Sequence, residues 1–92
     1  MKVRKIAKSA KILKSLGNSK RLEIVYNLRN GEKRVSELEK FMNISQSALS
    51  QHLAILRAAG VVSTRRCAQS IYYSLADDKC CKILATLDEI YG

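Results

Sequence analysis

The side chains with the most specific chemistry to offer are Gln46, Ser47, Ser50 and Gln51. Their spacing places all four on one face of a helix of 3.6 residues per turn. A glutamine amide presents a donor and an acceptor side by side, so it can pair bidentately with the edge of adenine; a serine hydroxyl can bond a base or a phosphate. Ser45 stands just ahead and suits an N-cap, where the first helical N–H groups would also face an anion. Arg57 adds a cation further along the same segment. Such a face also suits a plain solvated helix surface, so its surroundings must decide. They include Arg65, Arg66 and Gln69, in a stretch whose pattern is of strand type. Cations at or near the tip of a hairpin, beside a polar helix face, fit a duplex backbone or minor groove better than solvation alone.

These side chains need a scaffold. Leu49, Leu53 and Leu56 give the segment Gln46 to Ala59 an inward face, and Gly60 sits where a helix C-cap belongs. Upstream, Ser36-Glu37-Leu38-Glu39 has the capping-box pattern, with Leu38, Phe41 and Met42 on one side of the helix it would start. Asn43-Ile44-Ser45 breaks the period. Ser36 to Ala59 therefore reads as a helix-turn-helix. Val62–Arg66 and Ile71–Leu75, with about four residues between them, read as a hairpin, a wing over 61–75. At the N-terminus, Val3, Ile6, Ala7, Ala10, Leu13 and Leu16 form one stripe of a helix over 3–16, with lysines on the other side. Gly17-Asn18 ends it. Ser19 is the expected cap of a second helix with Leu22, Val25 and Leu28 inward, stopped by Asn30-Gly31. Asp77-Asp78 opens a last helix over 77–91, striped by Cys80, Ile83, Leu84, Leu87 and Tyr91. The expected fold is mainly α with a small β-hairpin: four helices, two strands and a helix in one domain over 1–92, a winged helix-turn-helix.

Composition points to the same partner. The chain carries 17 Lys+Arg against 8 Asp+Glu, a net charge of +9, which suits nucleic acid first and acidic membrane surfaces second. Eleven of the 17 basic residues precede Val35, against only Glu23 and Glu32. At 47% hydrophobic, with no proline and 4 glycines, the chain is globular and helix-rich. No stretch approaches the ~18 apolar residues of a membrane span, and no apolar core follows the basic start, so a cytoplasmic location is expected. Three cysteines, an odd number, fit free thiols in a reducing compartment. There is no Gly-rich phosphate loop, paired catalytic carboxylates or nucleophile-base motif, so neither an enzyme nor a small-molecule substrate is indicated. The alternative is a basic protein that binds nucleic acid without sequence preference.

The run from Ser45 to Gly60, with Leu49-Ser50-Gln51-His52-Leu53 at its centre, and the run Thr64-Arg65 through Ala68-Gln69-Ser70-Ile71-Tyr72-Tyr73-Ser74-Leu75 closely resemble the ArsR/SmtB family of winged-helix repressors. Val35, Glu37, Leu38 and Glu39 fit its HlyU/BigR-like branch. The resemblance spans essentially the whole chain. It implies a homodimer that pairs through its first and last helices and binds a near-palindromic DNA operator. It also implies a releasing signal, and there the sequence departs. Arg34 and Ser36 stand where one metal site of the family has cysteines, and neither binds soft metals. Asp77 matches one ligand of a second site, but Lys79 and Ile90 replace its histidines. Tyr26 and about Gly92 occupy the positions of the branch's cysteine pair. No metal or other cofactor is therefore expected. Of the three thiols, Cys67 falls at the wing turn beside Arg65 and Arg66, where neighbouring cations raise reactivity, and is the candidate redox thiol. Cys80 lies on the apolar stripe. Cys81 is about 100° around the helix from it, too far for the pair to hold one metal ion easily.

Overall fold

The computed structural model describes every residue, Met1–Gly92. It contains five helices and three strands: α1 (Val3–Leu16), α2 (Ser19–Leu28), β1 (Lys33–Arg34), α3 (Val35–Phe41), α4 (Gln46–Ala58), β2 (Val62–Cys67), β3 (Ser70–Leu75) and α5 (Lys79–Tyr91). The strands form one antiparallel sheet in the order β1-β3-β2. The winged helix-turn-helix expected from the sequence is present, and its wing has a third strand at the root.

The core lies where α2, α3 and α4 meet the sheet and the first turns of α5. Ile24, Val25, Leu38, Leu49, Leu56 and Leu84 are fully buried, with Leu28, Leu53, Val61 and Val62 beside them. Burying a leucine contributes roughly 1.5–3 kcal/mol, so the leucine stripe of α4 fixes that helix to the body. The helix begins at Ser45, whose Oγ accepts from the Ala48 N–H at 3.2 Å. It ends before Gly60, which takes the φ of +77° that the chain reversal requires.

Several local expectations are corrected. The cap of α2 is Asn18, not Ser19: its Oδ1 accepts from the N–H groups of Lys20 (2.9 Å) and Arg21 (3.2 Å). Ile24, outside the expected inward set, is completely buried. Ser36 does not cap α3. The helix starts at Val35, and Glu37 folds back to accept from the backbone N–H of Arg34 at 3.0 Å. Phe41, expected inward with Leu38 and Met42, is 60% exposed. Two residues separate β2 from β3, not four; Ala68 opens this turn with a φ of +55°. The last helix starts at Lys79, not at 77; Asp77 precedes it and accepts from the Lys79 N–H at 2.9 Å.

The terminal helices bury little of their stripes. On α1 only Leu16 and, partly, Ile12 reach the core, while Val3, Ile6 and Leu13 stand exposed. On α5, Cys80 and Leu84 are buried, but Ile90 and Tyr91 are open. A polar clamp holds α5 to α2. The Tyr26 hydroxyl donates to Asp88 Oδ1 at 3.0 Å and lies 3.3 Å from the Leu84 carbonyl oxygen. Arg29 donates to Asp88 Oδ2 at 2.9 Å, and its guanidinium lies 5.1 Å from the Tyr26 ring centre. The hydrogen bonds from Arg29 and Tyr26 lower the Asp88 carboxyl below its ordinary value. Partial burial, then the bond to Asp88, raises the Tyr26 phenol. No helix is long and apolar enough to cross a membrane.

Candidate nucleic-acid interface

The buried side of α4 fixes its opposite side outward. With Leu49, Leu53 and Leu56 in the core, Gln46, Ser47, Ser50, Gln51 and Ala54 are all exposed. Ser45 and Ser47 are joined at the helix start, Oγ to Oγ, at 3.3 Å. The side chains of Gln46, Ser50, Gln51 and Arg57 make no hydrogen bond or ion pair within the protein, although all are held on a rigid helix. Polar groups left open on a helix N-terminal face are available to base edges and phosphates. Arg57 lies on the wing side, lining a crevice of about 470 Å³ with Ser50, Ala54 and Tyr73.

The wing treats its two arginines differently. Successive strand residues point to opposite faces. Arg66 shares a face with Val62 and Thr64, the side that packs on α4, and no carboxylate pairs with it. Arg65 shares the other face with Tyr72, over whose ring its guanidinium lies at 4.7 Å. There it also makes a forked bond to the Glu32 carboxylate, with Nε to Oε2 at 3.1 Å. That bond lowers the Glu32 carboxyl and raises the Arg65 guanidinium, which stays charged throughout. Arg65 thus ties the wing stem to the turn before β1, while Arg66 and Gln69 remain open at the tip. Gln69 is the second residue of the turn, exposed and unbonded.

The sheet also fixes the wing relative to α4. Arg34 pairs with Tyr72 of β3 and is the N-cap of α3, so wing stem and helix-turn-helix share a residue. Tyr73, half-buried, packs between wing and core. A second brace lies on the other flank. Arg21 donates from Nε to the Ser15 carbonyl and holds Nη1 3.3 Å from His52 Nδ1, joining α1, α2 and α4. With an arginine as the donor, that ring nitrogen must be the acceptor. His52 therefore supports the helix.

The thiols divide by burial. Cys67 is exposed opposite Ser70 at the last pair of the hairpin. Cys80 is buried, and burial, more than the neighbouring Cys81 and Asp77, pushes its thiol up to about 11. No three His, Cys, Asp or Glu side chains gather in a way that could hold a metal ion. Arg34 and Ser36 lie at the N-terminal end of α3, where the Arg34 guanidinium bonds Glu37.

Of the residues singled out from sequence, Ser45, Gln46, Ser47, Ser50, Gln51 and Arg57 share one helix, and Arg66 and Gln69 share the wing tip. Arg65 and Cys67 lie apart, on the opposite strand face. Sequence reading missed Arg21 and Glu32. Their partners are 31 and 33 residues away, and no local pattern marks either pairing.

Comparison with known proteins adds to this geometry. The model of the family described as bacterial regulatory protein, arsR family, matches residues 18–64. Nodulation protein NolR of Rhizobium meliloti is 50% identical over 84 residues, which cover 91% of this chain and 69% of NolR. The transcriptional activator HlyU of Vibrio cholerae is 41% identical over 92% of this chain and 79% of its own length. Its solved structure covers 98% of both chains with a TM-score of 0.90. The homodimeric winged helix-turn-helix DNA-binding domain Mb0332 of Mycobacterium bovis matches at 27% identity, covering 98% of this chain and 86% of that one, with a TM-score of 0.86.

Proposed function

Because the chain belongs to the arsR family of bacterial regulatory proteins, we propose that it represses transcription as a homodimer on a near-palindromic DNA operator. It is a DNA-binding regulator, not an enzyme. The observation that carries the proposal is the open face of α4: Gln46, Ser47, Ser50 and Gln51, exposed on a helix fixed by three buried leucines, beside a wing with a free cation at its tip. In this reading the first turns of α4 enter the major groove. Gln46 and Gln51 read base edges, while Ser45, Ser47, Ser50 and Arg57 bond phosphates or bases. Arg66 and Gln69 take the adjacent backbone or minor groove. Arg65 serves chiefly to hold the wing.

The dimer would form through α1 and α5. Val3, Ile6, Leu13, Ile90 and Tyr91 are exposed on those two helices, and a two-fold axis would cover them. It would also set the two reading helices ~34 Å apart, one turn of DNA. Occupancy of a promoter by such a dimer excludes polymerase, which is the simplest route to repression. The expected location is the cytoplasm, where DNA and reduced thiols coexist.

Footprinting the purified protein on its own upstream region tests this reading. A protected, two-fold-related pair of half-sites one turn apart is expected. Uniform coverage with no preferred site would instead identify a non-specific nucleic-acid binder. Repeating the footprint with a thiol oxidant, for wild type and Cys67→Ser, tests the exposed thiol as a switch. Loss of protection in wild type alone would assign it that role.

A further inference from the structure

The exposed crest of α4 has a groove on each side, and the reading face described above accounts for only one. Gln51, Ala54 and Ala58 form a continuous stripe along it. On the wing side of it lies the crevice holding Arg57 and Tyr73. On the other side, Ala58 also borders a groove of about 410 Å³ between the end of α1 and α4, with Lys11, Lys14 and Arg21 on its walls and Ile55 at its floor. No acidic side chain lines it. Lys11 and Lys14 are exposed and make no ion pair. The bonds of Arg21 go to a carbonyl oxygen and a histidine nitrogen, so its charge is fixed in place without being neutralised.

We infer that this groove seats the DNA sugar-phosphate backbone on the flank of α4 opposite the wing, with Lys11, Lys14 and Arg21 as the phosphate contacts. The inference rests on α4 being the helix that enters the major groove. A helix lying there runs between two phosphate walls. Arg57 of α4 and Arg66 of the wing supply cations toward one wall. The α1–α2 corner supplies three toward the other, continuous with the reading face and free of opposing charge. Contacts of this kind hold register without reading sequence. Lys8 is one turn from Lys11 and stays in place in both variants below, whereas Lys2 and Lys5 lie at the far end of α1, twelve and nine residues from Lys14, about 18 and 13 Å along the helix. Lys14 is thus more than the ~10 Å screening length of ordinary buffer from both.

The test compares Lys11→Ala/Lys14→Ala with Lys2→Ala/Lys5→Ala, two variants of equal net charge. All four substitutions replace exposed residues with the best helix former, and matching unfolding curves would confirm that both variants fold. Affinity is read by fluorescence anisotropy on an operator duplex and a scrambled duplex across a range of salt. The groove variant should lose the same fold of affinity on both duplexes, and its log–log salt slope should fall by about 1.8, or 0.9 for each phosphate no longer neutralised. The control variant should change the slope by less than half of that. Equal slope changes in the two variants would overturn the inference, because the lysines would then act only through the general field. A loss confined to the operator would also overturn it, since the groove would then read sequence. If wild type showed no operator preference at all, the proposed function would fail. The slope on the scrambled duplex would still decide the groove.

Discussion

The open face of α4 and the α2–α5 junction use similar polar chemistry to opposite ends. At the junction three polar side chains satisfy one another inside the chain: Tyr26 and Arg29 both donate to Asp88, and the arginine lies against the phenol ring. On α4, Gln46, Ser50 and Gln51 find none, although they are held as firmly by the leucines beneath them. The wing repeats the contrast within two adjacent residues. Arg65 is consumed by Glu32 and Tyr72, and Arg66 is left free. Residue type alone therefore does not mark a candidate contact; what sets the α4 side chains apart is bonding capacity left open on a rigid support.

The contrast is broken most forcefully by removing the open groups. Gln46→Ala and Gln51→Ala should each cost about 1–3 kcal/mol of discrimination between operator and scrambled DNA, for each base edge that is no longer read. Unfolding by urea should be unchanged, because neither side chain bonds within the protein. If both variants keep their operator preference, α4 is not the reader. Next in size, Ser45→Ala should lower stability by about 1 kcal/mol through loss of the cap on Ala48, seen as a lower urea midpoint. Arg66→Ala should then weaken binding evenly across sequences and reduce the salt slope by about 0.9. Arg65→Ala should change the slope less, since its charge already faces Glu32. Equal slopes would erase the distinction between the two arginines.

The smallest effect is expected at the junction. Bonding lowers the Asp88 carboxyl in the folded chain relative to the unfolded one. The stability it contributes is therefore fully present above the unfolded carboxylate value and is lost as pH falls through the folded value. Asp88→Asn should destabilise modestly at neutral pH, and its difference from wild type should shrink as the buffer is acidified below the carboxylate range. Thermal melts across that range would show it. Glu32, lowered by the bond from the Arg65 guanidinium, and Glu37, lowered chiefly by the backbone N–H of Arg34, contribute in the same direction. DNA affinity per folded molecule should not move.

Much of this is legible in the chain. The α4 face follows from helical period, and the wing from its β-branched and aromatic runs, because both are local patterns. The Ser45 cap and Gly60 stop are readable for the same reason. What is illegible depends on distance. Strand β1 is two residues long, carries no apolar alternation, and exists only because β3 offers an edge some forty residues later. The start of α3 is misleading because Ser36 has a cap-like side chain, whereas sheet pairing of Arg34 fixes the backbone one residue before Val35. The type of Phe41 suggests an inward side chain, but Phe41 is exposed, while Met42, the extended residue that ends α3, turns into the core. Arg65 matches a DNA contact by sequence, and only the fold reveals Glu32 beside it.

Strand β1 has a consequence beyond topology. By pairing Arg34 with Tyr72 and handing the chain directly to α3, on which α4 packs, it makes the wing and α4 jaws of one caliper. The gap between them is set when the protein folds, so little ordering remains to be done at the moment of binding. A caliper with a fixed gap is also a gauge. Duplexes whose groove width already matches fit without distortion, and others must bend or narrow at an energetic cost that depends on their sequence. In the proposed reading, the molecule would thus favour one stretch of DNA over another at base pairs that none of its side chains touch.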